Sequence, residues 1–113
     1  MGVKYDKIDA FIAIADPTRR KILSLLAAGS MTITAVSGHF EISRPAVSKH
    51  LSVLQEAGLI SVVEQGRERY CQLEQDGFEE ISDWLAFYEQ FWQQKLVELE
   101  KVVRQRAAAK KRA

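Results

Sequence analysis

Apolar residues repeat at spacings of three and four through the first half of the chain. They alternate briefly after residue 60 and return to the helical spacing near residue 77. Tyr5 to Ala15 predicts a first helix, with Ile8, Phe11, Ile12 and Ala15 on one side. Asp16-Pro17 restarts the chain, because Asp is a favoured cap and Pro fits the first helical position, where an N–H would go unused. Ile22, Leu23, Leu25 and Leu26 give the second helix its apolar face, and Gly29 ends it. Thr32 is placed to cap a short third helix, with Ile33, Val36 and Phe40 facing inward. Ser43 is placed to cap a fourth, with Pro45 in its first turn, Val47, Leu51 and Leu54 on its inner side, and Gly58 at its end.

The stretches Ile60–Glu64 and Arg69–Leu73 favour β structure, and Gln65-Gly66-Arg67-Glu68 between them reads as a hairpin turn. A helical pattern then runs from about Gly77 to roughly Arg106. The expected fold class is mainly α with a two-stranded β-wing, in the order α-α-α-α-β-β-α, which is a winged helix-turn-helix. Residues 1–106 read as one such domain, with the helix-turn-helix at 32–57 and the wing at 60–73. Residues 107–113, AAAKKRA, have nothing to pack and read as a basic, flexible tail.

A chain of 113 residues with one cysteine, Cys71, leaves no intramolecular disulfide and no multi-cysteine zinc site. No apolar run reaches the roughly 20 residues of a membrane span. The N-terminal MGVKYDKIDAF lacks a secretory pattern, so the expected location is cytoplasmic, with no membrane partner. Net charge averages unlike segments. From Pro17 to Leu73 seven Lys/Arg face four acids, from Glu74 to Glu100 eight acids face only Lys95, and from Lys101 to Ala113 there are six bases and no acid. Charge so segregated suits a protein that meets a polyanion with one face.

The fourth helix gives that face its chemistry. If Val47, Leu51 and Leu54 turn inward, 3.6-residue geometry turns Arg44, Ser48, Lys49, Ser52 and Gln55 outward. These are donors or small groups, which suits base edges and phosphates in a major groove. Thr32, Ser43 and Pro45, at the starts of the two helices, are also counted among the expected DNA contacts. Arg67 and Arg69 at the wing are placed for phosphates or the minor groove. A polar helix face alone reads equally as a solvated face. The two-helix spacing, the capped Pro-containing start and the Gly-Arg hairpin together point to double-stranded DNA.

The string Asp16-Pro17-Thr18-Arg19-Arg20-Lys21-Ile22-Leu23, followed by Ser43-Arg44-Pro45-Ala46-Val47-Ser48-Lys49-His50-Leu51-Ser52-Val53-Leu54, resembles the ArsR/SmtB-type regulators. So do Ala57-Gly58-Leu59-Ile60 and Gly66-Arg67-Glu68. The resemblance covers most of residues 5–100. It implies a homodimeric transcriptional repressor whose first and last helices (5–15 and 77–106) form the dimer interface. It also implies that the helix from Ser43 reads DNA, as an inverted-repeat operator, and that the hairpin is the wing.

Metal-sensing members of that family carry paired cysteines in the helix before the recognition helix, where this chain has Thr34-Ala35-Val36-Ser37-Gly38-His39. Others use Asp and His ligands from the last helix, but residues 77–113 hold no histidine. His39, His50 and Cys71 fall on three different elements, so neither a metal site nor any other cofactor is expected. His50 reads as a packed, hydrogen-bonded histidine, with a phosphate or partner contact as the alternative. His39 suits the end of the third helix. Cys71, where the family often has tyrosine, reads as a small buried apolar residue rather than a redox sensor.

On the last helix Ile81, Leu85, Tyr88, Trp92, Leu96, Leu99 and Val103 form one stripe, which Trp84, Phe87, Phe91 and Val102 widen to about half the circumference. That is more than one docking surface needs, and a lone monomer would expose it, so dimerisation follows. Phe11 joins Ile81, Trp84, Leu85, Tyr88, Phe91, Trp92, Leu96 and Leu99 as the expected interface. The aromatic residues could instead line a pocket for an apolar small-molecule effector that releases the repressor. The basic residues from Lys101 to Arg112 read as a solvated end, or else as a non-specific DNA arm. A winged helix serving as a protein-interaction module is the competing function, but its outer helix face would then carry apolar anchors. No catalytic constellation is visible, so an enzyme is not expected.

Overall fold

Asp9 opens the first helix: its carboxylate accepts from the Ile12 amide at 2.8 Å, and α1 runs Ala10–Ile14. The computed structural model describes residues 8–112, so the predicted helical start at Tyr5 lies outside the described residues. The buried residues of α1 are Ala10 and Ala13, with Ile8 and Ile14 half-buried against the core. Ile12 and Ala15 are exposed, which corrects the expected inner face of Ile8, Phe11, Ile12 and Ala15. Two alanines let the backbone of α1 approach α2 and α4 closely, where larger side chains would overfill the core.

Asp16 caps α2 (Pro17–Leu26) by accepting from the Arg19 amide at 3.0 Å, with Pro17 in the first turn. Ile22, Leu23 and Leu26 are buried, as the periodicity demands, and Leu25 is half-buried. Thr32 caps α3 (Ile33–Ser37), and Ser43 caps α4 (Arg44–Glu56), its hydroxyl accepting from the Ala46 amide at 3.2 Å. Val36, Val47, Leu51 and Leu54 from these two helices join Leu59, Ile60 and Cys71 in one core. The end of α4 is a Schellman closure. The Leu59 amide donates to the Leu54 carbonyl and the Gly58 amide to the Gln55 carbonyl, both at 3.0 Å, while Gly58 takes a φ of 79°.

The sheet has three strands, one more than expected. β2 (Ile60–Gln65) and β3 (Glu68–Leu73) form the predicted hairpin, with Ile60 opposite Leu73 and Gln65 opposite Glu68. The two-residue loop begins at Gly66, whose φ of 65° suits the glycine position of a type II′ turn. β1 (Met31–Thr32) adds on the other side of β3, pairing Met31 with Cys71 and Thr32 with Tyr70, so the order is β1-β3-β2. Two residues carry no periodicity of their own, and β1 is a strand only because β3 is beside it.

A 3₁₀ turn, Gln75–Phe78, leads into α5 (Glu79–Arg112), about 50 Å long at 1.5 Å per residue. The helix continues through the stretch expected to be a flexible tail, as far as Arg112. Ala107, Ala108 and Ala109 are the best helix formers, no Gly or Pro interrupts them, and the Glu100–Arg104 pair at 2.7 Å braces the preceding turn. The chain divides into two compact units, Met1–Ile81 and Ser82–Ala113, the second consisting of α5 alone. Ile81 is half-buried and packs on the core of the first unit. Among the described residues no helix is long and apolar enough to cross a membrane.

Candidate nucleic-acid interface

Three capped helices and a short sheet fix the direction of α4, and therefore of its side chains. Val47, Leu51 and Leu54 are buried, while Arg44, Pro45, Ser48, Lys49, Ser52 and Gln55 are exposed, as expected. At 100° per residue the outer side divides further. Pro45 and Lys49 point directly away from the core, whereas Arg44, Ser48, Ser52 and Gln55 lean toward the wing. Glu56, also exposed, lies on the Ser52 side one turn further on. It is an acid on that outer face, and its charge favours contact by the N-terminal half of α4.

The wing-facing flank and the wing enclose a cleft of about 240 Å³. Thr32, Thr34, Arg44 and Ser48 line one side, and Arg67, Glu68 and Arg69 the other. Five of the residues expected to touch DNA thus meet in one place: Thr32, Arg44, Ser48, Arg67 and Arg69. Their side chains are not equally available. Thr32 is committed as a cap, its Oγ1 accepting from the Ala35 amide at 3.0 Å. Arg44 Nη2 donates to Thr34 Oγ1 at 3.1 Å, and Thr34 is a cleft residue that no sequence signal marked. Arg69 Nε sits 3.9 Å from Glu64 Oε1, and Glu68 Oε2 accepts from the Tyr70 hydroxyl at 3.0 Å.

Behind α4, the Asp16-Pro17-Thr18-Arg19-Arg20 string does structural work. Arg19 Nε donates to the Ala13 carbonyl at 2.7 Å and Nη2 to the Ile12 carbonyl at 3.2 Å, while Arg20 Nη1 donates to the Ile14 carbonyl at 2.7 Å. Both guanidiniums thus satisfy the open carbonyl end of α1. Arg19 Nη1 also lies 3.4 Å from His50 Nδ1, and His50 lies 4.0 Å from Asp16 Oδ2. His50 is therefore the half-buried, hydrogen-bonded histidine expected, and it ties α4 to the α1–α2 junction.

The Arg19 amide, aided by the His50 and Arg19 charges and opposed by burial, holds the Asp16 carboxyl below the usual carboxylate range. A carboxyl with a depressed folded value adds stability above its unfolded value, near pH 4, and loses it as pH falls through the folded one. Asp16→Asn keeps a capping side chain without the charge. The urea midpoint of the parent should exceed that of Asp16→Asn at pH 7, and the gap should be smaller at pH 3. An equal gap at both values would remove the carboxylate from the account.

Cys71 is fully buried on β3, and burial pushes its thiol above the usual range, so it is a packed apolar group rather than a thiolate. Among the described residues no three of His, Cys, Asp and Glu come together as a metal site. On α5 the residues Trp84, Leu85, Tyr88, Phe91, Trp92, Leu96 and Leu99 are all exposed, between 42% and 61%. Trp84 and Tyr88 pack ring to ring at 4.8 Å, and Phe91 meets Trp92 edge-on at 6.1 Å.

The pattern of the bacterial regulatory protein, arsR family, matches residues 16–62, from the Asp16 cap to β2. The transcriptional repressor SdpR of Bacillus subtilis is 42% identical over 77 residues, spanning 68% of this chain and 86% of its own. The chain belongs to the ArsR family. The HTH-type transcriptional regulator Rv2034 of Mycobacterium tuberculosis is 37% identical over 83 residues, 74% of this chain and 75% of its own. A crystal structure of an ArsR family transcriptional regulator superposes with a TM-score of 0.66 at 36% identity, covering 74% of this chain and 91% of that one. The fold is thus the ArsR winged helix-turn-helix, and the activity is that of a DNA-binding transcriptional regulator.

Proposed function

We propose that this ArsR-family regulator is a homodimeric, cytoplasmic repressor that reads an inverted-repeat operator with α4 in the major groove and without a metal switch. The observation that carries the reading is the division of α4 into a buried apolar side and an outer side of Pro45 and Lys49 flanked by Arg44, Ser48, Ser52 and Gln55. Donors and small groups at the N-terminal half can enter a groove about 12 Å wide and bond to base edges. The second support is the exposed aromatic side of α5, which a second copy would cover together with Phe11 of α1. The metal-independent reading rests on donor chemistry: α3 and α4 hold no thiol, and α5 holds no histidine.

Selection from a random duplex pool with the full chain should recover an inverted repeat whose half-sites are about 34–36 Å apart, or a multiple of it. The double variant Ser48→Ala/Lys49→Ala, changed at two exposed positions, should keep its thermal stability. It should lose about 10- to 100-fold in affinity for that repeat and relax its base preference. Unchanged affinity and preference would sink the groove assignment.

A further inference from the structure

We infer that the cleft between α4 and the wing is a seat for one backbone phosphate of DNA, held jointly by Arg44 from the helix and Arg67 from the hairpin. The inference rests on the major-groove reading of α4. A duplex with α4 in its major groove and the wing tip at the neighbouring minor groove has one sugar–phosphate strand between the two grooves. That strand must pass between the two protein elements, which is where the cleft lies.

The cleft has the chemistry for it. Three guanidiniums, Arg44, Arg67 and Arg69, and the hydroxyls of Thr34 and Ser48 line it, against one carboxylate, Glu68. That carboxylate takes a hydrogen bond from Tyr70. Arg69 is drawn to Glu64 on the neighbouring strand. Arg67 has no hydrogen bond or ion pair among the described residues, and Arg44 spends one donor on a neutral hydroxyl. A guanidinium carries five N–H donors in a planar fork that fits a phosphate's oxygens, so most donors of both side chains stay unspent. One comes from the N-terminus of α4 and the other from the two-residue loop between β2 and β3, which binds wing and helix to a single point on the DNA.

Two arginines on one phosphate and two arginines on two phosphates predict different salt dependences. Each neutralised phosphate contributes about 0.9 to the slope of log affinity against log salt concentration. Full-length Arg44→Ala, Arg67→Ala and the double variant are titrated with a mixed-sequence duplex long enough for two successive major grooves, over a range of salt. Both positions are exposed, so all three variants keep the parent's melting temperature. A shared seat makes the double variant lose about 0.9 in slope per protomer bound. Each single variant, whose remaining arginine still neutralises the phosphate, loses well under that, and a single variant that loses all of it by itself overturns the seat. A loss of about 1.8 puts the arginines on separate phosphates, and an unchanged slope removes both from the backbone; either result overturns the seat. The Ser48→Ala/Lys49→Ala experiment reports separately. Base preference that depends on those two residues, with an unchanged salt slope here, leaves the groove reading standing and the seat rejected. The reverse pair of results leaves an anion seat without a reading helix.

Discussion

Replacing Gly77 with alanine is expected to cost about 2–3 kcal/mol of stability, as overpacking against an immovable neighbour does. For a domain of this size the melting temperature should fall by about 10 °C or more. A Cβ at Gly77 would overlap the Gly58 carbonyl oxygen, lie 2.6 Å from the carbon that bears it and 3.1 Å from the Leu59 nitrogen. All three are backbone atoms, and little can yield. Gly58 and Leu59 are held by the Schellman closure of α4, and the Leu59 carbonyl accepts from the Glu74 amide at 2.9 Å. Ser61 adds a bond to the Glu74 side chain at 2.6 Å. The end of α4 and the turn that leads to α5 are therefore pressed together with room for glycine alone. Gly38→Ala is the control, since its Cβ would meet the Ala35 carbonyl oxygen at an ordinary 3.4 Å. Thermal melts of the two variants side by side decide the point, and a Gly77→Ala chain as stable as Gly38→Ala would refute it.

Contacts of this kind mark the boundary of what a sequence reveals. The caps Asp16, Thr32 and Ser43, the Gly58 closure and the Gly66 turn are local: each signal lies within a few residues of its effect, and each was legible. The donor-rich side of α4 was legible too, because burial of Val47, Leu51 and Leu54 fixes what lies opposite. Distant pairing was not. Met31 and Thr32 form a strand because Cys71 and Tyr70 lie beside them, and nothing within two residues announces that. The inner face of α1 was misplaced because spacing rules weigh Phe11 and Ile12 above Ala10 and Ala13, whereas a close helix crossing selects the smaller pair. The roles of Thr34 and of Arg19, a bond to Arg44 and a clamp on the α1 carbonyls, depend on side chains crossing between elements. The basic tail has nothing to pack, which predicts a flexible end, but three alanines extend a helix that already exists at lower cost than they would start one.

The largest functional effect should come from α5, a different element from the helix proposed to read DNA. Leu85→Glu/Trp92→Glu changes two residues seven positions apart on one stripe, both more than half exposed in the single chain. Surface changes of that sort leave the fold of the chain nearly untouched, within about 0.5 kcal/mol. In the dimer we propose, each symmetric interface would instead bury four carboxylates without cationic partners, which costs several kcal/mol. The expected result is a folded monomer by sedimentation, at concentrations where the parent is a dimer.

Charge along α5 favours that pairing in one direction. Glu79, Glu80, Asp83 and Glu89 outweigh Lys95 in its first half, and Lys101, Arg104, Arg106 and Lys110 outweigh Glu98 and Glu100 in its second. Two copies related by a two-fold axis across the helix set acidic half against basic half, whereas a parallel pair would set like against like. Losing the dimer separates two half-site readers that otherwise bind as one. Affinity for the inverted repeat should fall by about 10²–10⁴-fold, while affinity for a single half-site stays at the parent's value. A variant that remains dimeric, or a monomer that binds the full repeat as tightly as the parent, would break the link between the aromatic helix and operator recognition.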